Sequence, residues 1–179
     1  GYYRTSNTTN GFVAAQQWDT WSVFAVRPPA GSDHDLRLYH DNNHNFLLAT
    51  SSQNGSAVDF IVGDYNHSRA GNEHMQVNLQ AGVAGVFNAT WESGTGTLYP
   101  NGAYVGTQTW TDYNVVRMYE VPLFAGEEVS FTLDVQTAGL DMGFALYKSN
   151  GAAYFASRSG AVAAAAVNGA GTNETLTYT

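Results

Sequence analysis

Short segments in which apolar and polar residues alternate recur along most of the chain. They are rich in Val, Phe, Tyr and Thr, as in SVFAVRP, HDLRLYHD, HMQVNLQ, EVSFTLDV and ETLTYT. This alternation sends every second side chain to one face, which is typical of half-buried antiparallel strands. Turn sequences with Gly and Asn, such as RPPAG, SQNG and KSNG, separate the segments at intervals of roughly 8–12 residues. The pattern therefore predicts an all-β fold, either a sandwich or a barrel.

The Ala run AVAAAAV at 161–167 is the one ambiguous segment, because Ala favours helix. Ser159-Gly160 and Asn168-Gly169 bracket it with turn signals, and we therefore predict a buried strand there.

The pattern also repeats itself 108 residues downstream. The sequence WSVFAVRPPAGSDHDLRLY at 21–39 aligns without a gap with VSFTLDVQTAGLDMGFALY at 129–147, and the shared core reads A-G-x-D-x-x-(L/F)-x-L-Y. A repeat of this length indicates two similar units in tandem, each about the size of a small domain. We expect Asp33 to superpose on Asp141, and the strand that follows each Asp to alternate between core and surface.

Beyond this core, FLLATSS at 46–52 is aligned with YFASRSG at 154–160. The sequence SGTG marks the predicted boundary, which gives a first unit at 1–93 and a second unit at 94–179. GNEHMQVNLQAGVAGVFNATW is predicted to be the closing hairpin of the first unit, and VVRMYEVPLFAGEEVSFTLDV the opening hairpin of the second.

Part of the chain resembles a known family. The run Y-x-V-x-x-x-A-G-E-x-V-x-F from Tyr119 to Phe131, followed by AGLDMGFALYKSNG and ETLTY, is similar to bacterial pre-peptidase C-terminal domains. WSVFAVRPPAGSDHDLRLYHD and VDFIVGDYN in the first unit resemble a variant found in tandem in large secreted bacterial proteins. The resemblance implies two tandem jelly-roll-like antiparallel β-sandwiches. It also implies a non-catalytic role, as an appendage or as a repeat of an extracellular or cell-surface protein.

In such modules one or two further strands follow the strand that resembles ETLTY, whereas this sequence stops at Thr179. Residues 1–10 have no obvious place in the first unit and resemble the strand that is lacking. We therefore expect this segment of one copy to be donated to the open edge of the second unit in another copy, which would give a head-to-tail homopolymer. In a longer repetitive chain the same contact would be intramolecular. The assembly residues predicted in this way are Tyr2, Tyr3, Leu176 and Tyr178.

Composition narrows the range of partners. The formal net charge is −8, only 12% of the residues are charged, and Lys148 is the only lysine. Nucleic acid and anionic membranes are therefore poor partners, because both bind through clustered Lys and Arg. No apolar stretch approaches the roughly 18–20 residues that span a bilayer. The absence of Cys is compatible with a secreted protein without disulfides, and Gly1 in place of Met suggests a processed N-terminus.

No catalytic motif is present in the sequence. It contains no G-x-S-x-G, no H-E-x-x-H, no P-loop and no Cys nucleophile, so we expect no enzymatic activity. Oxygen ligands two residues apart could hold Ca²⁺ without the bidentate Glu of an EF-hand loop, and these candidates are Asp33, Asp35, Asp41 and Asn43. The alternative is that Asp33 bonds the turn backbone, since its counterpart Asp141 lacks the other ligands. We predict no other cofactor.

Two features point to sugars. Asn-x-Ser/Thr triplets make glycans potential partners, and all but the fourth lie in turn-like or terminal sequence: Asn7, Asn54, Asn66, Asn88 and Asn173. Four tryptophans could also form an aromatic platform for sugar rings. We expect Trp21 and Trp91 to fill the core instead, because they lie within strand patterns, and Trp110 is the best candidate for an exposed ring.

The sequence thus favours a subunit or repeat of an extracellular surface filament, assembled head-to-tail by β-strand complementation. The alternative is a non-catalytic appendage of a secreted hydrolase that binds carbohydrate or protein.

Overall fold

The computed structural model describes residues 2–5, 9–15, 21–40, 43–64, 72–93, 115–148 and 154–179. These residues form β-strands and no helix, and every strand pair is antiparallel. The prediction of an all-β antiparallel fold is therefore confirmed. The strands are β1 (Tyr2–Thr5), β2 (Thr9–Ala15), β3 (Trp21–Arg27), β4 (Asp33–Tyr39), β5 (Leu47–Ser51), β6 (Asp59–Asp64), β7 (Asn72–Ala81), β8 (Phe87–Ser93), β9 (Val129–Leu133), β10 (Phe144–Leu146), β11 (Tyr154–Ala156), β12 (Ala163–Ala165) and β13 (Glu174–Tyr178).

The strands of the first unit lie in two sheets. One sheet has the order β1-β8-β3-β6-β11, in which β11 comes from the second unit, and the other has the order β2-β7-β4-β5. The consecutive strands β7 and β8 thus belong to different sheets, so the predicted closing hairpin is wrong. The chain crosses from one sheet to the other through residues 82–86 instead of turning back beside itself.

Buried side chains from both sheets form one apolar cluster. In β4, Leu36 and Leu38 are 0% exposed, whereas Arg37 between them is exposed, as the alternating pattern predicts. The core of the first unit therefore lies between the two sheets. Its other members come from β3, β6, β7 and β8, and they are Phe24, Val26, Ile61, Met75, Val77, Phe87 and Ala89.

Four strands of the second unit pair two by two, and the first of these pairs repeats the register of β4 and β5. Leu36 of β4 lies opposite Ser51 of β5, and Phe144 of β10 lies opposite Ala165 of β12. The offset between the units is 108 residues on the first strand and 114 on the second. Ala165 is buried, and the prediction of a strand in the Ala run is confirmed by β12.

The other strand pair of the second unit repeats the register of β3 and β6. Ala25 of β3 lies opposite Phe60 of β6, and Leu133 of β9 lies opposite Glu174 of β13. These positions have the same offsets of 108 and 114 residues. Since both ladders agree, β9, β10, β12 and β13 are the structural counterparts of β3, β4, β5 and β6.

The turns that precede β4 and β10 are also equivalent. The Ser32 N–H donates to the Pro29 carbonyl at 3.1 Å, and the Leu140 N–H donates to the Thr137 carbonyl at 3.3 Å. The third residue of each turn is a glycine with a positive φ, 77° in the first unit and 83° in the second. Only glycine adopts this φ without steric cost, which explains the shared A-G sequence.

Two details of the predicted repeat are wrong. The alignment of FLLATSS with YFASRSG fails because the offset between the units changes from 108 residues at β10 to 114 at β12. β11 pairs with β6, where Phe155 lies opposite Val62. In addition, VRMYEVP does not form the first strand of an opening hairpin, because the second unit's described strands begin with β9.

The two units share a packed junction. The Trp21 ring is stacked on Phe155 at a centroid distance of 6.0 Å and an angle of 11°, and Tyr147 lies 6.2 Å from Trp21. The Tyr147 hydroxyl donates to the Ser157 carbonyl, and the Ser157 N–H donates to the Phe60 carbonyl at 2.6 Å. Aromatic packing and hydrogen bonds therefore cross the predicted boundary together with the β6–β11 pairing.

A second set of contacts links β8 to the segment before β9. Arg117 donates to Glu92 at 2.7 Å in an ion pair, and the Val115 N–H donates to Thr90 Oγ1 at 3.2 Å. Val115 is 8% exposed, so this segment is packed against the first unit.

Candidate functional site

Two strands of the second unit are paired on one side only among the residues that the structure describes. In the first unit, β3 pairs with β6 on one side and β8 on the other, and β4 pairs with β5 and β7. Their counterparts β9 and β10 each have one neighbour among the described residues, β13 and β12 respectively. We call the sides of β9 and β10 that would face counterparts of β8 and β7 the open edges. Each carries backbone N–H and C=O groups that can pair with a further strand.

Burial differs between the units in the same places. Leu36 and Leu38 are fully buried, whereas their counterparts Phe144 and Leu146 are only half-buried. Every residue from Ser22 to Val26 of β3 is buried, but β9 alternates between half-buried and exposed residues. Among the described residues these two strands have fewer neighbours than β3 and β4, which agrees with the lower burial of their side chains.

Buried carboxylates hold the loops at the ends of β5 and β12. Glu174, which is 1% exposed, accepts hydrogen bonds from the Asn168 N–H at 2.9 Å and the Val167 N–H at 3.3 Å. In the first unit Asp59 accepts from the Ser51 hydroxyl at 2.5 Å and from the Gln53 N–H at 2.8 Å. Each carboxylate begins the strand that pairs with β9 or β3, so it fixes the loop that leads into this strand.

Burial also shifts the protonation of the polar groups near β4. Desolvation raises the pKa of Asp59 to about 6, and the nearby charges of Asp35 and Asp33 add to this rise. Burial lowers the pKa of His34, which is 0% exposed with its ring 5.3 Å from Phe87. Neither His34 ring nitrogen has a hydrogen-bond partner among the described residues.

The N-terminal segment has a place in the first unit. β1 pairs with β8, with Tyr2 opposite Thr90 and Tyr3 opposite Ala89. β2 pairs with β7, with Phe12 opposite Met75. The expectation that residues 1–10 lack a place in the first unit is therefore wrong. The reason is that β7 and β8 lie in different sheets, so each leaves a side to which an N-terminal strand can bind.

Leu176 and Tyr178 lie on β13 and are half-buried. They face Phe131 and Val129 in the ladder with β9. By comparison with the first unit, the place of a further core strand is beside β9 and not beside β13, because the strand that flanks the counterpart β6 on its other side is the additional strand β11.

The predicted calcium ligands are only partly within the described residues. Asp33 and Asp35 lie on β4, Asn43 is exposed in the following loop, and Asp41 lies outside the described residues. Within the described parts of the chain, no group of three His, Cys, Asp or Glu side chains could hold a metal ion. The buried Asp33 Oδ1 has no hydrogen-bond partner among the described residues. This atom therefore does not make the predicted bond to the turn backbone.

The structure describes three of the five glycosylation triplets. Asn54 and Asn173 are exposed in loops, and the Asn173 Oδ1 accepts from the Val135 N–H at 2.9 Å. Asn88 is half-buried within β8. Asn7 and Asn66 lie outside the described residues.

The tryptophans that the structure describes do not form an exposed platform. Trp91 is half-buried and stacked on the core residue Phe24 at 6.1 Å and 18°, and Trp21 packs in the junction with Phe155. Trp18 and Trp110 lie outside the described residues.

The described residues contain no helix long and apolar enough to cross a membrane. No protein-family model, curated protein or solved structure matches this chain.

Proposed function

We propose that this chain is a non-catalytic structural protein of the extracellular space or cell surface, built of two tandem jelly-roll-like β-sandwiches. It assembles head-to-tail into a filament when strands of another copy complete its second unit. The observation that carries the proposal is the pair of open edges: β9 and β10 repeat the ladders of β3 and β4, but among the described residues no strand takes the places of β8 and β7 beside them.

Strand addition to an open edge supplies affinity through backbone hydrogen bonds and specificity through alternate side chains. It would also cover the half-buried side chains of β9 and β10, which adds a hydrophobic contribution. When the surface that gives a strand differs from the one that receives it, the contact is head-to-tail and repeats from copy to copy. Such a contact forms an open filament unless the rotation between copies closes it into a ring.

Two further observations support a structural role. The junction of Trp21, Tyr147 and Phe155, together with the β6–β11 pairing, joins the two units through packed contacts. A fibre subunit needs such a connection to transmit tension. The weakly charged and acidic composition agrees with a module that contacts neither nucleic acid nor anionic lipid.

The test is assembly as a function of concentration, measured by light scattering coupled to size exclusion and by negative-stain imaging. We expect the chain to form elongated oligomers whose length grows with concentration. Discrete monomers at every concentration would overturn the proposal, and monomers that bind a glycan array would favour the carbohydrate-binding appendage.

A matched pair of variants locates the contact. Ser130→Lys combined with Thr132→Lys places two charges at exposed positions of β9, and lysines on edge strands oppose further pairing. Thr175→Lys with Thr177→Lys places the same charges at exposed positions directly opposite, on β13. We expect the β9 variant to lose assembly and the β13 variant to retain it, while both keep the native far-UV circular dichroism. Equal assembly of the two variants would remove β9 as the contact strand.

A further inference from the structure

The first unit also ends on two free strand edges, one in each of its sheets. β1 is the outermost strand of one sheet and pairs with β8, and β2 is the outermost strand of the other and pairs with β7. No strand covers their outer sides among the residues that the structure describes. Only residues 6–8 separate β1 from β2, so these two edges belong to one short segment that spans both sheets.

We infer that the outer sides of β1 and β2 in one copy pair with the open edges of β9 and β10 in another copy, so that both sheets continue from copy to copy. This inference rests on the proposed function and names the surface that completes the second unit. β1 and β2 keep their own pairing with β8 and β7, because a strand carries hydrogen-bonding groups on both of its sides. The N-terminal segment therefore acts as part of a folded edge and does not have to leave its own subunit.

The number and length of the strands favour this match. Each surface offers two strands, one per sheet. β2 has 7 residues and β9 has 5, whereas β1 has 4 and β10 has 3. Pairing the longer strand with the longer and the shorter with the shorter sets β2 beside β9 and β1 beside β10.

The other strands of the first unit fit less well. β7 and β8 carry core side chains, among them Met75 and Phe87, and cannot be released without opening the core. At the opposite end of the first unit, β5 and β11 are also outermost strands. The β4–β5 ladder is irregular between Leu38 and Tyr39, and irregularities of this kind are a common protection against edge pairing.

Cysteine cross-linking tests the inference directly, because the chain has no native Cys. A Thr9→Cys variant, with the thiol on β2, is mixed with a Thr132→Cys variant, with the thiol on β9, and oxidised under assembly conditions. Since the thiols are on different variants, a mixed disulfide reports only a contact between copies. Ser130→Cys provides a second β9 position in case the ladder register is shifted by two residues.

The matched control replaces the first partner by Thr50→Cys, which lies at an exposed position of β5. We expect disulfides between β2 and β9, identified by mass spectrometry of the linked peptides. We expect no such disulfides when the Thr50→Cys variant takes the place of the Thr9→Cys variant. Hydrogen exchange provides a measurement without substitutions: assembly should slow amide exchange in β2 and β9 but not in β5.

The outcomes separate the two proposals. Filaments that form without β2–β9 disulfides and without slower exchange in β2 would overturn this inference and leave the proposed function standing. Disulfides that form equally with β5 would also overturn it. A chain that remains monomeric at every concentration would overturn both.

Discussion

Replacing the buried carboxylate of Asp59 by an amide should remove a pH dependence from the stability of the first unit. Asp59 is 0% exposed, and its Oδ1 accepts from the Ser51 hydroxyl and the Gln53 N–H. Its Oδ2 has no hydrogen-bond partner among the described residues. In Asp59→Asn the amide oxygen can accept both bonds, so the loop after β5 is expected to remain in place.

The magnitude follows from the pKa. Burial raises the pKa of Asp59 from the ordinary 3.8 to about 6, and a shift of roughly 2 units corresponds to about 3 kcal/mol. Because the folded state binds the proton more tightly than the unfolded state, the free energy of unfolding falls as pH rises from about 4 to about 6, and stays lower above that. In Asp59→Asn the side chain at this position does not ionise, so this fall in the free energy of unfolding does not occur. The difference in the free energy of unfolding between the variant and the wild type should therefore shift by about 2.5 kcal/mol in favour of the variant between pH 4 and pH 7, because a small part of the full change lies below pH 4.

Urea unfolding, followed by Trp fluorescence at several pH values, measures this difference. Comparing the two proteins at each pH cancels contributions that they share, including that of the buried His34, whose pKa is lowered. Asp141→Asn, at an exposed carboxylate of the second unit, is the control and should change stability by less than about 0.5 kcal/mol at any pH. A difference between Asp59→Asn and the wild type that does not vary with pH would refute the reasoning.

Two substitution pairs test the packing of the first unit in the same assay. Leu36→Ala should destabilise by about 2–5 kcal/mol because the side chain is 0% exposed, whereas Arg37→Ala at the adjacent exposed position should cost less than about 0.5 kcal/mol; similar losses would contradict the core placed between the sheets. Gly55→Ala (φ 70°, open space) should cost about 1–2 kcal/mol for its backbone conformation alone. Gly82→Ala (φ 89°) should cost more, because its Cβ would lie 2.3 Å from the Gly31 carbonyl oxygen; equal losses at the two glycines would show that the turn relaxes.

The sequence specified most of the strands and, in β4, which side chains are buried. In β4 the alternation of Leu36, Arg37 and Leu38 sets the buried face directly, because side chains in a strand point to opposite sides in turn. The sequence also predicted the repeated A-G turn, because a glycine with positive φ is needed at the same place in both units. Flanking turn residues correctly marked the Ala run as a strand against its helical propensity.

The neighbours of each strand were decided only by the tertiary structure. Alternation fixes the face that a strand buries but not the strand that lies beside it, because backbone hydrogen bonds are nearly the same for every sequence. This is why β7 and β8 were expected to pair and instead lie in different sheets, and why the N-terminal strands found places beside them. It is also why β11 was aligned with the wrong strand. β11 has only 3 residues, and so short a segment forms a strand only because it pairs with a neighbour, here β6. The open edges of β9 and β10 have the same origin, because whether a strand lies at an edge depends on the strands beside it, and its own sequence does not specify them.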